Sequence, residues 1–263
     1  MKKVVLLGAG NVAWSLANAI DSLDGYSLIQ IYGPRIERAQ EIAQESGRAT
    51  ATDDLSKINT SADIYIIALK DEAIASVADM IQYNGDALWV HTSGSVPMSA
   101  ISRLSPRHGV LYPLQTFSRG RQVDISEATI FTEGSDPVTE KEIAGLAHAL
   151  TPHVMHADSM SRSRLHAAAV FACNFTNHLW TISADVLSKS DIPFSVMKPL
   201  IEETFKKAVQ NGPEAGQTGP ARRGDIATIR KHLEIVGPDY APIYKQISQN
   251  IIDHYIPDEP NRL

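Results

Sequence analysis

Three groups of residues have the types and spacing to do chemistry. The first is Gly8, Gly10 and Ala13, a G-x-G-x-x-A pattern placed directly after the apolar run Val4 to Leu7. In that position the first glycine permits a tight turn and the second lets the backbone approach a pyrophosphate. The small third residue lets helix pack on strand. Ala9, Asn11 and Val12 complete the turn, and the helix that follows offers free N–H groups and a positive dipole end to phosphates; the alternative is a structural turn of the same composition. The second group is His166, Asn174 and Asn177 in HAAAVFACNFTNHL. Hydride transfer to or from a carbonyl or imine needs a proton donor or acceptor beside the reacting atom, which an imidazole supplies near neutral pH. The two amides would orient a substrate by hydrogen bonds. The alternative for His166 is a histidine buried at a dimer interface. The third group is Arg222 and Arg223 in QTGPARRGD, where a guanidinium fork would clamp a carboxylate or phosphate of the substrate. Its alternative is an exposed loop between helices.

These groups need elements to position them. Val4–Leu7, Ser27–Tyr32, Asp63–Leu69 and Ala87–His91 read as buried strands, with helices over Ile36–Ser46 and Asp71–Tyr83 between them. Strands alternating with helices specify a parallel, doubly wound sheet, and ligands of such sheets bind beyond the carboxyl ends of the strands. Gly33 and Arg35 follow the second strand, Leu69 and Lys70 the third, and His91, Thr92, Ser93, Gly94 and Ser95 the fourth. NAD sites usually carry an acid at the tip of the second strand. Here there is none, and Arg35 would pair with a 2′-phosphate, so NADP is the expected cofactor with NAD left open. His91 is read equally as a ligand contact and as a structural strand end. A strand at Gly109–Tyr112, ended by Pro113, brings Tyr112, Gln115, Thr116 and Ser118 to the same end of the sheet as substrate-side groups. Ala128–Glu133, a helix over Val138–Leu150 and a short strand at His153–His156 complete this half.

The C-terminal half has no strand signal. An uninterrupted helix is expected over Ser161–Lys189, then helices over Ser195–Asn211, Asp225–Ile235 and Tyr240–Tyr255. At the helical spacing Arg162, His166, Val170, Asn174, Asn177 and Thr181 fall within one face about 120° wide, with His178 pointing elsewhere. The expected domains are therefore 1–157, a dinucleotide-binding Rossmann domain, and 158–263, an all-α substrate and dimerisation domain.

Composition limits the classes. A net charge of -6 argues against sequence-independent nucleic-acid binding, which needs a basic face. The apolar run at the N-terminus stops at Gly8, too short for a signal-peptide core, and no segment is long and apolar enough to cross a membrane. The single cysteine, Cys173, excludes an internal disulfide, fits a reducing cytoplasm and is expected as a small buried hydrophobe rather than a catalytic thiol. No metal site is expected.

The stretches LLGAGNVA, HTSGSVP, GVLYPLQTFS, LHAAAVFACNFTNHL, LIEETFKKA and TGPARRGD run in order along nearly the whole chain. In them the chain resembles the Rossmann-like proteins with a C-terminal domain of unknown function (DUF2520), grouped as NADP- or F420-dependent oxidoreductases. The wider superfamily it is similar to includes pyrroline-5-carboxylate reductase, prephenate dehydrogenase, and the 6-phosphogluconate and 3-hydroxyisobutyrate dehydrogenases. That resemblance implies an N-terminal NAD(P) domain, a helical domain that often dimerises, and a substrate between them. Relatives often read Ser-Arg-Ser after the second strand; here the run is Gly33-Pro34-Arg35, with the arginine displaced by one position. Neither Lys189 nor Lys198 matches the catalytic lysine of the hydroxyacid dehydrogenases.

The reading that emerges is a cytoplasmic, homodimeric NADP-dependent oxidoreductase of a small polar metabolite. Two further classes stay open: a dinucleotide-binding sensor without turnover, and a reductase that uses F420 together with NADP.

Overall fold

Short apolar runs buried on both faces dictate the centre of the computed structural model, which describes residues 1–83, 85–118, 120–121 and 123–257. The elements are β1 (Lys2–Leu7), α1 (Asn11–Asp21), β2 (Tyr26–Tyr32), α2 (Ile36–Ser46), β3 (Thr50–Thr52), β4 (Ile64–Ile67), α3 (Asp71–Met80), β5 (Leu88–His91), β6 (His108–Leu114), β7 (Thr129–Gly134), α4 (Pro137–Leu150) and β8 (Val154–His156). They build one eight-stranded sheet in the order β3-β2-β1-β4-β5-β6-β7-β8. The first six strands follow the doubly wound order, whose switch point lies between β1 and β4. Alternate residues feed two cores. Val4, Leu6, Ile64, Ile66, Leu88 and Val90 pack under α1, α2 and α4. Val5, Leu7, Tyr65, Ile67 and Trp89 pack under α3. On that second face the Tyr65 and Trp89 rings stack at 4.0 Å, and Tyr83 meets both edge-on. Burial pushes the Tyr65 phenol up to about 12, and its hydroxyl donates to the Asn59 carbonyl at 2.7 Å.

Two expectations about the sheet are corrected. The sheet is parallel only through β6; β7 pairs antiparallel to β6, and β8 runs parallel to β7. Among the described residues of the connection at 115–128 there is a short 3-10 turn and no crossover helix to return the chain to the parallel direction. Pro113 also does not end β6, because it lies inside the strand opposite Ile130. The β5 ladder reaches only Val110, so β6 is an edge on that side where the proline's missing N–H sits.

The helical half contains α5 (Ser159–Ala169), a π-helical turn (Val170–Phe175), α6 (Thr176–Ser188), α7 (Lys198–Asn211), α8 (Pro213–Gly216), α9 (Ile226–Val236) and α10 (Ala241–Tyr255). The chain divides into two compact units, Met1–Cys173 and Asn174–Leu263. The first therefore includes α5 as well as the sheet. In the second, Ala221, Ile229 and Ile252 form a small core with Leu233, Tyr244 and Ile251 packed against it. Among the described residues no side chain of α6 or α7 is buried. The expected uninterrupted helix is corrected by the π turn. One extra residue per turn shifts the helical phase by about 100°, so the facial spacing that grouped His166 with Asn174 and Asn177 does not carry across it. Cys173 lies in that turn and is exposed, against the expectation of burial. Among the described residues no helix is long and apolar enough to cross a membrane.

Candidate functional site

The site begins where β1 ends. Gly8 turns the chain at φ +143°, and its N–H donates to the Tyr32 carbonyl at 2.7 Å. A Cβ there would stand 2.1 Å from the Ala68 carbonyl oxygen, so the exit of β1 lies flat against the end of β4 only because residue 8 has no side chain. Gly10 is the N-cap of α1, yet a Cβ on it would meet nothing within 4 Å, so the fold makes no demand for glycine there. Among the described residues no side chain caps the first turn of α1, which leaves its N–H groups to a ligand or solvent.

Ala9, Gly10, Asn11, Trp14, Arg35 and Arg38 line one cleft of about 300 Å³, together with Glu41 and Glu45. The acids have internal partners: Trp14 Nε1 donates to Glu45 at 2.6 Å, and Arg38 lies 3.6 Å from Glu41. Asn11 Nδ2 donates to the Phe117 carbonyl at 3.1 Å. Val12 packs against the core. Gly33 leaves room for Ala9, whose Cβ would be 2.8 Å from a side chain at 33. Arg35 is the N-cap of α2. The structure thus brings the expected glycine-turn residues and Arg35 to one place.

A second group gathers at the carboxyl ends of β4, β5 and β6. Leu69 packs against the second core, and Lys70 is exposed at the N-cap of α3. The Thr92 N–H donates to the Ile67 carbonyl at 3.0 Å. Ser93 Oγ accepts from the N–H groups of Ser95 and Val96 at 3.1 and 3.0 Å, and Ser95 Oγ donates to Asp71. Gly94 is covered by two rings: a Cβ there would lie 2.7 Å from Tyr112 Cζ and 2.9 Å from His166 Nδ1. Across that bare position the Tyr112 hydroxyl and His166 Nδ1 share a hydrogen bond of 3.1 Å.

Burial, and then the Asp71 charge, raises the Tyr112 phenol, while Arg162 acts the other way. His91 is fully buried, and its Nδ1 accepts the Ser93 N–H at 3.2 Å. Its pKa is lowered to about 4 by burial first and the Arg162 charge second, with the Pro97 backbone and Asp71 opposing. It is therefore a neutral imidazole at physiological pH.

One expected residue of the first compact unit lies apart from this corner. Gln115 does not join Tyr112. Its Oε1 accepts from the Thr116 N–H at 2.7 Å, and with Thr116, Ser118 and Arg121 it lines a separate recess. Asn174, Asn177, Arg222 and Arg223 belong to the second compact unit. Arg222 stacks over the Tyr255 ring at 4.7 Å, and Arg223 closes a 3-10 turn. In that unit Thr218, Pro220 and Ala221 of the same loop wall an apolar cavity of about 230 Å³ with Tyr240, Tyr244 and Ile251.

Close to this corner, Arg162 is buried and pairs with Glu133, whose carboxylate also accepts from Ser159; local spacing does not single out that trio. For Arg162 alone a signal existed: it stands one helical turn before His166, a charge on the face that carries the imidazole.

Comparison with known proteins agrees with this architecture. Residues 3–92 match the family described as NADP oxidoreductase, coenzyme F420-dependent, and residues 128–251 match the domain of unknown function DUF2520. A Bacteroides fragilis protein, provisionally named an NADP oxidoreductase, is 40% identical with a TM-score of 0.89, over 96% of this chain and 98% of that one. An imine reductase from a Pseudomonas species has 15% identity and a TM-score of 0.68, over 95% and 94% of the two chains. A reductive aminase from Aspergillus terreus, solved with NADPH and ethyl levulinate, has 10% identity and a TM-score of 0.72, over 97% and 94%. At those identities the last two share the fold. No protein of curated function matches the chain at a significant level. The chain belongs to the family of NAD(P)-dependent oxidoreductases that join a nucleotide-binding module of the coenzyme F420-dependent NADP oxidoreductase type to a DUF2520 domain.

Proposed function

We propose that the protein uses NADP to transfer a hydride to or from the carbonyl or imine carbon of a small polar metabolite, with Tyr112 and His166 handling the accompanying proton. The observation that carries this reading is the 3.1 Å contact between the Tyr112 hydroxyl and His166 Nδ1 at the carboxyl end of the sheet. The residues present suit the dinucleotide. The uncapped first turn of α1 and the open space at Gly10 suit a pyrophosphate, and the guanidinium groups of Arg35 and Arg38 line the same cleft. When bound, the nicotinamide supplies the hydride. The chain supplies the rest. Backbone N–H groups of the glycine turn hold phosphate, and Arg35 holds the 2′-phosphate. Tyr112, kept as the neutral phenol by burial, shares its proton with the imidazole, and the pair passes a proton to or from the substrate oxygen or nitrogen. The NADPH complex of the reductive aminase and the name of the imine reductase support a carbonyl or imine as the reacting group.

The test is binding of NADPH and NADH, side by side, to the wild type and to Arg35→Ala. A guanidinium–phosphate pair contributes about 1.5–3 kcal/mol, so the substitution is expected to weaken NADPH roughly tenfold to a hundredfold. NADH binding should stay within about twofold, because it lacks the phosphate. Equal loss of both cofactors would remove Arg35 from the 2′-phosphate site.

In the same reading, residues 1–157 bind the cofactor, 158–263 serve substrate recognition and dimerisation, and the protein works as a homodimer in the cytoplasm. Leu200, Phe205 and Val209 of α7 are exposed by 62%, 67% and 67%, and a helix of that length needs an apolar face covered to be stable in water. Sedimentation equilibrium is expected to give twice the mass of the chain, and Phe205→Asp to shift it towards the monomer. A monomeric wild type would refute the dimer.

A further inference from the structure

Beneath the Tyr112–His166 corner lies a charge that the proton transfer itself does not use. Arg162 is 1% exposed. Its Nε donates to the Ser93 carbonyl at 3.2 Å and its Nη2 to the Val96 carbonyl at 2.7 Å. Nη1 pairs with Glu133 and reaches the Ala157 carbonyl at 3.4 Å, while Nη2 lies 3.4 Å from Ser159 Oγ. Ser159 holds the same carboxylate from the other side, through its N–H at 3.1 Å and its hydroxyl at 2.9 Å. One guanidinium therefore ties together the 93–96 loop, the end of β7 and the first turn of α5.

The two carbonyls it holds flank Gly94, over which Tyr112 and His166 meet. His166 stands one turn further along the helix that carries Arg162. A buried ion pair is an inefficient stabiliser, because desolvation cancels most of the Coulomb gain and an apolar replacement is often as stable. What the planar fork provides, and an apolar side chain does not, is a fixed distance between the loop and the helix.

We infer that Arg162 is a positioning residue of the site: it clamps the 93–96 loop to the helix of His166 and so sets the separation at which His166 reaches Tyr112 across Gly94. The inference rests on reading Tyr112 and His166 as the proton-handling pair.

The test is nitrogen NMR of 15N-histidine-labelled full-length protein, without cofactor or substrate, in wild type, Arg162→Met, Arg162→Lys and Tyr112→Phe. Tyr112→Phe gives the His166 ring-nitrogen positions without the hydroxyl partner. Arg162→Met is expected to move His166 from its wild-type position towards that reference. Lysine keeps a charge for Glu133 but has no fork to hold both carbonyls, so Arg162→Lys is expected to move His166 the same way and not to rescue it. His232, which pairs with the Tyr244 hydroxyl at 2.7 Å in the other compact unit, should stay in place. A role confined to stability would lower the unfolding temperature and leave His166 at its wild-type position. That result in both variants, or in Arg162→Lys alone if Arg162→Met does not fold, overturns the inference. NADPH titration of the same samples tests the proposed function separately. A wild type that binds no dinucleotide defeats the hydride reading whatever the histidine spectrum shows.

Discussion

Gly8→Ala is expected to destabilise the fold by roughly 3–5 kcal/mol, whereas Gly10→Ala leaves stability within about 0.5 kcal/mol and still weakens NADPH binding. The two glycines stand in one turn and answer to different forces. At position 8 the backbone has φ +143°, which L side chains avoid, and the new Cβ would stand 2.1 Å from the Ala68 oxygen and 2.7 Å from its carbonyl carbon. Neither atom is the end of a flexible side chain. Relief would require β1 and β4 to separate at the switch point of the sheet, where Ala68 N–H donates to the Leu7 carbonyl at 2.7 Å. At position 10 the new Cβ would meet nothing within 4 Å, so only a ligand can object. Urea unfolding and NADPH titration of both variants separate the cases, and Gly10→Ala is expected to weaken NADPH roughly tenfold or more. A Gly10→Ala protein that binds NADPH like the wild type would show that the turn does not cradle a phosphate.

Acid should destabilise the protein well before its carboxylates protonate, and His91 is the reason. The folded protein holds this imidazole at about 4, against 6.5 for the free group, chiefly because the ring is fully buried and secondarily because Arg162 lies near. Above pH 6.5 both folded and unfolded chains carry it neutral, and its burial costs nothing in protons. Between pH 6.5 and pH 4 the unfolded chain binds a proton that the folded chain refuses, so the stability is lost as pH falls through that window. The shift corresponds to about 3 kcal/mol by pH 4. The lowered aspartates, such as Asp136 and Asp225, start from 3.8 and lose their contribution below this window. His91→Gln is expected to flatten the dependence between pH 7 and pH 4 to less than about 1 kcal/mol. Urea midpoints across that range are the measurement, and an unchanged slope in the variant would assign the acid sensitivity to other groups.

The loops at the carboxyl ends of the first strands were legible in the sequence because they depend on local chemistry. An apolar run, a glycine turn and an amphipathic helix follow one another at the N-terminus, and each is a short-range pattern. The carboxyl ends of β4 and β5 then place Lys70, Thr92 and Ser93 without further information. The antiparallel return of β7 was not legible, because strand direction depends on whether the connection packs as a helix. The π turn was also hidden: Val170–Phe175 has no proline or glycine to mark it, and uniform helical spacing passes straight through. The facial stripe expected from uniform spacing fails for that reason.

The sequence by itself determined the class of the protein. The periodicity of its strands and helices, the G-x-G-x-x-A turn and the absence of an acid at the tip of β2 are properties of neighbouring residues, and neighbours are what a sequence displays. The tertiary structure alone decided which distant side chains meet. Tyr112 and His166 share a hydrogen bond across 54 positions, and Arg162 reaches Ser93 and Glu133 across 69 and 29. Those contacts depend on how the 93–96 loop, β7 and α5 close on one another, and on the missing side chain at Gly94 that lets the two rings touch. Long-range packing of that kind has no period to read, so the Tyr112–His166 contact and the guanidinium beside it emerge only when the chain is folded.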